Sequence, residues 1–102
     1  MKIITLQPIP RQEIVVTVDE VRYKIQILSA GDFMTYGIER DGVVIIENGA
    51  RIVNGSPLLP YEYMQNGNFI LEVPDDELPD YNNFLSTQTL YYASPDELEA
   101  YT

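Results

Sequence analysis

Alternating apolar and polar residues predict a hairpin in the first third of the chain. Residues 13–18 and 21–28 alternate with a period of two, which is typical of half-buried strands. A two-residue turn at Asp19 and Glu20 would place three apolar pairs on one face: Val18 with Val21, Val16 with Tyr23, and Ile14 with Ile25. The other face would then carry Thr17 with Arg22, Val15 with Lys24, and Glu13 with Gln26. Neither turn residue adopts positive φ easily, so a longer turn with a shifted register is an alternative.

The dipeptide Asp41-Gly42 predicts a second hairpin. It lies between the apolar-rich residues 33–40 and 43–47, and Asp-Gly favours two-residue turns. This turn would pair Ile38 with Ile45 and Tyr36 with Glu47. Asn48-Gly49 and Asn54-Gly55 follow, and successive Asn-Gly turns predict a tight meander of short strands.

Shorter apolar runs predict three further strands, at residues 2–6, 68–73 and 87–92. Pro8 and Pro10 lack the backbone N–H that a central strand needs, so we expect an extended connector there. Residues 56–67 are rich in turn formers. Residues 74–86 are acidic and interrupted by prolines, and we predict a loop packed by Leu78, Tyr81 and Phe84.

One helix is predicted, at the end of the chain. Ser94 can cap it, Pro95 suits its first turn, and Glu97 can close a capping box with Ser94. So short a helix needs packing through Leu98 and Tyr101. The elements together predict one mainly β domain over residues 1–102. We expect an antiparallel sheet or barrel-like meander of about seven or eight short strands with long loops and one short C-terminal helix.

The charge is strongly acidic and unevenly distributed. Net charge is −10, and all six basic residues lie in the first 51 positions. The second 51 positions hold nine acidic residues and no basic one. Such a chain repels phosphate backbones and anionic headgroups, so we expect neither nucleic acid nor a membrane as a partner. A basic protein surface would be attracted, although acidic loops can also serve only solubility.

The residue types argue against catalysis. The chain has no histidine and no cysteine, which excludes Ser-His-Asp and Cys-His chemistry and disulfides. The acidic run at Asp75, Asp76, Glu77 and Asp80 lacks the spacing of a calcium loop. We therefore expect no catalytic residues, no metal and no cofactor. The N-terminal segment lacks the long apolar region of a signal peptide.

Tyrosine is enriched, with eight residues and no tryptophan. Tyrosine suits both strands and protein interfaces. We predict that Tyr23 and either Tyr91 or Tyr92 belong to the core. The predicted interface residues lie outside the strands and along the acidic run: Tyr61, Tyr63, Asp75, Asp76, Asp80, Tyr81 and Tyr101.

Five short segments stand in a distinctive order along the chain. They are Leu6-Gln7-Pro8-Ile9-Pro10, Arg40-Asp41-Gly42, Val53-Asn54-Gly55-Ser56-Pro57-Leu58, Gly67-Asn68-Phe69 and Pro79-Asp80-Tyr81. Each alone is a common turn signal, but their order and spacing resemble the small baseplate plug family of contractile-tailed bacteriophages. The family pattern would place a glycine soon after the last segment, whereas residues 82–86 contain none.

The resemblance implies a non-enzymatic structural component of the tail baseplate. It implies a place in the virion between the tail tube or hub and the central spike, after assembly in the host cytoplasm. The implied partners are other tail proteins, and homo-oligomers within the tail are compatible with it. The alternative is an acidic regulatory or inhibitory module that binds a basic host protein. A small-ligand, sugar-binding or hydrolytic β domain is a third hypothesis.

Overall fold

The strands form two antiparallel sheets. The computed structural model describes residues 2–53, 57–59 and 67–97. The described strands are β1 (Lys2–Ile4), β2 (Arg11–Val18), β3 (Val21–Ser29), β4 (Met34–Arg40), β5 (Val43–Arg51), β6 (Asn68–Glu72) and β7 (Thr89–Ala93). One sheet has the order β2-β3-β4-β5 and the other β1-β7-β6. The prediction of a mainly β fold is confirmed, and both sheets are open.

The first hairpin has the predicted two-residue turn. Asp19 and Glu20 have φ angles of 49° and 67°, so both adopt the left-handed conformation that this turn requires. β2 and β3 pair in the predicted register from Val18 opposite Val21 back to Glu13 opposite Gln26. The longer turn with a shifted register does not occur.

The second hairpin has the predicted turn but a different register. Arg40 pairs with Val43 across the turn, as two residues at Asp41-Gly42 require. Further along, Ile38 pairs with Ile46, and Tyr36 pairs with Ala50. The predicted pairs of Ile38 with Ile45 and Tyr36 with Glu47 are therefore wrong. The cause is that β5 contains extra residues, which bulge out of the ladder.

Asn48-Gly49 forms part of this irregular strand instead of a turn. Gly49 has a φ of 113°, and Asn48 extends its side chain across Gly37 of β4. The Asn48 amide donates a 2.5 Å hydrogen bond to Gln26 Oε1 on β3. A Cβ at Gly37 would collide with Asn48, so this crossing needs a glycine there. The predicted turn at Asn48-Gly49 is wrong, and Asn54-Gly55 lies outside the described residues.

Aromatic side chains join the two sheets. Tyr23 of β3 contacts Phe69 of β6 edge to face with ring centroids 5.0 Å apart, and Phe69 contacts Tyr92 of β7 at 5.2 Å. Tyr23 is 0% exposed and Tyr92 is 5% exposed, which confirms the prediction that both belong to the core. Burying a large apolar side chain stabilises a fold by roughly 1.5–3 kcal/mol, so these contacts hold the sheets together.

Residues 57–59 are held between the sheets by polar contacts. The Asn68 side chain accepts from the Leu59 N–H at 2.9 Å and donates to the Leu59 carbonyl at 3.0 Å. The Tyr36 hydroxyl donates to the Leu58 carbonyl at 2.7 Å. Asn68 is fully buried, and its polar groups need such partners.

The helix start has the predicted capping box. The Glu97 N–H donates to Ser94 Oγ at 3.3 Å, and the Ser94 N–H donates to Glu97 Oε1 at 3.1 Å. Residues 95–97 are helical. Leu98 and Tyr101, which were predicted to pack this helix, lie outside the described residues. Within the described ranges, no helix has the length and apolar content to cross a membrane.

Candidate interaction surface

The acidic interface candidates lie in one loop between β6 and β7. We call residues 74–88 the acidic loop. It contains Asp75, Asp76, Asp80 and Tyr81, and a 3₁₀ turn covers Tyr81–Asn83. The other three predicted interface residues, Tyr61, Tyr63 and Tyr101, lie outside the described residues.

A buried glutamine braces the acidic loop from inside. Gln88 is 0% exposed. Its Oε1 accepts from the Asp80 N–H at 2.9 Å, and its Nε2 donates to Glu77 Oε1 at 3.1 Å and to the Leu78 carbonyl at 2.8 Å. One side chain thus fixes three positions along the loop. Because a buried amide is costly to leave unpaired, this network favours a single loop conformation.

Short-range hydrogen bonds fix the far end of the loop. Asp80 caps the 3₁₀ turn, since its Oδ1 accepts from the Asn82 N–H at 2.9 Å. The Asn83 carbonyl accepts from three successive backbone N–H groups, those of Ser86, Thr87 and Gln88. The loop therefore has its own internal support in addition to the core beneath it.

The loop buries some of its apolar side chains and exposes others. Phe84 is 4% exposed, and Tyr81 is partly buried against the core. Leu78 is 68% exposed and Leu85 is 60% exposed. The prediction that Leu78 packs the loop is therefore wrong. Its backbone carbonyl is held by Gln88 while its side chain points to solvent, which makes it available to a partner.

The loop that carries the exposed leucines also carries exposed carboxylates. Asp75 and Asp76 are exposed, and no basic residue follows Arg51 in the chain. An open cleft of about 670 Å³ separates the loop from the β3–β4 connection. Asp32 lies on one side of this cleft and Glu77 and Asp80 on the other. The surface therefore combines apolar contact area with a negative potential.

The described residues offer little for bond-breaking chemistry. No three Asp or Glu residues in the described ranges are grouped closely enough to hold a metal ion. Asp80 of the loop accepts a hydrogen bond from the Asn82 N–H and so caps the 3₁₀ turn, while Asp75 and Asp76 are exposed surface charges. The loop therefore presents a fixed backbone with exposed leucines and surface carboxylates.

The fold is that of a small β domain that carries an exposed acidic loop. Over residues 1–96 the chain matches the family described as cyanophage baseplate Pam3 plug gp18, and it belongs to that family. The predicted resemblance to phage baseplate plugs is thereby confirmed. Among curated proteins, no match is found.

Membership of this family indicates the general role of the chain. A baseplate plug family implies a structural role in the phage baseplate, a place in the virion tail and contact with other tail proteins. It also points to a non-enzymatic role.

Several residues in the segments that carry the family resemblance stabilise the fold. Leu6 is 2% exposed in the core. Gly67 has a φ of 95°, and the Ala93 carbonyl and the Tyr92 ring leave no room for a Cβ there. Asp80 caps the 3₁₀ turn. These residues build the fold, whereas the exposed Leu78 and Leu85 lie outside those segments.

Sequence reasoning missed Gln88 and Leu85. Gln88 lies in phase with Leu90 and Tyr92, and all three are buried. A polar residue at an inward-facing position was a signal that a hydrogen-bond network would surround it. Leu85 gave no comparable signal, because one leucine between polar residues is equally compatible with burial and exposure.

Proposed function

We propose that this chain bridges the tail tube or hub and the central spike of a phage baseplate by protein–protein contacts. The observation that carries the proposal is the acidic loop, because it combines a fixed backbone with exposed leucines and unneutralised carboxylates. Membership of the baseplate plug family supplies the context. Assembly in the host cytoplasm is part of the proposal, and the role allows several copies to associate within the tail.

The chemistry of the loop defines the partner that fits it. A fixed loop loses little conformational entropy on binding, which favours affinity. Leu78 and Leu85 would enter apolar depressions, and Asp75 and Asp76 would meet basic residues around them. Tyr81 of the same loop would extend this contact, and Tyr61, Tyr63 and Tyr101 stay predicted interface residues outside the described ranges. The partner surface is therefore basic with apolar pockets.

A binding experiment with purified tail proteins tests the proposal. The immobilised chain is exposed separately to the hub, tube and spike proteins, and affinities are measured by surface plasmon resonance. The variant Leu78→Ser with Leu85→Ser should bind its partner at least about tenfold more weakly, because each exposed leucine contributes on the order of 1 kcal/mol. A second variant, Asp75→Asn with Asp76→Asn, should lower the association rate and its dependence on salt.

A matched control separates the loop from general surface effects. Val43 and Val44 on β5 are 64% and 56% exposed, so Val43→Ser with Val44→Ser removes a similar apolar area elsewhere. This control should bind as the unaltered chain does. The proposal fails if the chain binds none of the three proteins, or if the loop variants bind as well as the control.

A further inference from the structure

The free edge of β2 presents an unbroken row of backbone hydrogen-bonding groups. The two-residue turn makes Val18 and Val21 a hydrogen-bonded pair, and such pairs alternate along an antiparallel ladder. The N–H and C=O groups of alternate residues therefore point away from β3: Arg11, Glu13, Val15 and Thr17. Among the described residues, none of these backbone groups has a partner. β2 thus offers eight unused groups along eight residues.

The other described sheet edges are protected. β5 is interrupted by bulges, and β1 has three residues. The edge of β6 is partly covered by the bridge from Pro57 to Ile70. β2 has a regular register and no proline. Proteins normally protect exposed edges with such devices. β2 carries charges only in its first three residues, at Arg11 and Glu13, so an edge of this length without a bulge or a proline indicates a surface that pairs with another strand.

We propose that β2 pairs with β2 of a second copy of this chain in an antiparallel, two-fold arrangement. A register centred on Ile14 places Glu13 of each copy opposite Val15 of the other, and Arg11 opposite Thr17. In this register all eight free backbone groups of each strand form hydrogen bonds with the other strand. The two four-stranded sheets then become one continuous sheet of eight strands.

The side chains of β2 suit a second copy as the occupant. Ile14 and Val16 are partly buried on the inner face, and in this register they meet Ile14 and Gln12 of the other copy. Val15 is 50% exposed on the outer face. The two Ile14 side chains thus make an apolar contact at the two-fold axis, and each Val16 faces Gln12, whose amide is already hydrogen-bonded to Gln7. The pairing therefore fits the rule that register follows the burial pattern.

Charge opposes self-association less through this sheet than through the acidic loop. The four-stranded sheet carries five of the six basic residues, whereas the acidic loop belongs to the other half of the sequence. The Glu13 side chains of the two copies would lie near each other, but each is paired with its own Lys24 at 2.9 Å. The net charge of −10 still opposes association at a distance, so salt should strengthen the dimer.

The measurement is sedimentation equilibrium of the isolated chain from roughly 10 µM to 1 mM in about 0.15 M salt. An edge-to-edge contact belongs to the small, weak class of interfaces, below about 1,200 Å². We expect the mass to rise from 11.7 kDa toward twice that value across this range. A constant monomer mass up to 1 mM would overturn the proposal.

A single proline substitution makes the test specific to the edge of β2. Val15→Pro removes an N–H that points away from β3, so the hairpin ladder stays intact while pairing is blocked. This variant should remain a monomer at every concentration with an unchanged circular dichroism spectrum. The matched control Val15→Thr keeps the N–H and should dimerise with a dissociation constant within about threefold of the unaltered chain. Equal dimerisation of the proline variant would overturn the proposal.

Hydrogen exchange supplies a readout that needs no variant. The amides of Glu13, Val15 and Thr17 should exchange about tenfold more slowly at 1 mM than at 10 µM, because pairing covers them. Exchange independent of concentration would overturn the proposal. The isolated chain is used throughout, so a negative result here leaves the binding of hub, tube or spike to be judged separately.

Discussion

The hydroxyl of Tyr92 donates a 2.6 Å hydrogen bond to Oδ2 of Asp19. The bond joins the last strand to the turn between β2 and β3, and the two residues are 73 positions apart. Asp19 has a φ of 49°, a left-handed conformation that costs an ordinary residue roughly 1–2 kcal/mol. The hydrogen bond helps to hold this strained turn, and it ties one sheet to the other.

Removing the Tyr92 hydroxyl should destabilise the fold. Tyr92→Phe keeps the ring contact with Phe69 but leaves Asp19 without this donor. We expect a loss of about 1–2 kcal/mol in the free energy of unfolding, measured by urea denaturation. The control Tyr91→Phe, at a half-buried neighbour, should change stability by less than about 0.5 kcal/mol. Equal stability of the two variants would contradict the role given to this bond.

Stability should fall at alkaline pH. Burial, and then the hydrogen bond to Asp19, raise the pKa of Tyr92 well above its usual range. Burial also raises the pKa of Tyr23 and of Tyr36. In the unfolded chain tyrosines ionise near pH 10, so the folded state binds the protons more tightly. The stabilisation is therefore complete below about pH 10 and is lost as pH rises above it.

Thermal melts between about pH 8 and pH 11.5 measure this effect. The melting temperature should stay level up to about pH 10 and then fall, with a shallower fall in Tyr92→Phe because one titrating group is gone. The two proteins differ only in the Tyr92 hydroxyl, so the comparison isolates its ionisation. Identical slopes would show that Tyr92 ionisation does not couple to unfolding.

Two glycines with the same backbone conformation should respond differently to substitution. Gly67 and Gly31 have φ angles of 95° and 93°. A Cβ at Gly67 would meet the Ala93 carbonyl and the Tyr92 ring, whereas the space around Gly31 is open. Gly31→Ala should cost only backbone strain, about 1–2 kcal/mol, and Gly67→Ala at least about 2 kcal/mol more. Equal unfolding free energies would refute the close approach at Gly67.

Gln88 should control the order of the acidic loop. Gln88→Leu leaves the Asp80 N–H and the Leu78 carbonyl without their partner. We expect loop amides in residues 74–88 to exchange at least about tenfold faster, while β2 and β3 keep their protection. Ser86→Ala, at an exposed position of the same loop, is the control and should exchange normally. Unchanged exchange in Gln88→Leu would mean that the loop is held by other contacts.

The parts of the fold that local patterns determine could be predicted from sequence. The first hairpin followed from alternation, because a shift of one residue would have turned Ile14, Val16 and Val18 to solvent. The capping box followed from Ser94 and Glu97 at the required spacing. In both cases the partners lie close in the chain, so sequence spacing determines geometry.

The parts that depend on distant partners could not be predicted. The bulges in β5 bring Asn48 over Gly37 and onto Gln26, and each partner lies on a different strand. Alternation within β5 alone gave no sign of this crossing. The exposure of Leu78 likewise depends on how Gln88 directs the loop backbone, a contact across ten residues.

In the proposed function, this chain joins tail proteins at the baseplate through its acidic loop. Cryo-electron microscopy of purified phage tails tests it most directly, because one map gives both the position of the chain and its contacts. We expect density for this domain at the tail tip, with residues 74–88 against hub, tube or spike and with Leu78 and Leu85 buried. Density elsewhere in the particle, or a baseplate position with the acidic loop facing solvent, would contradict it.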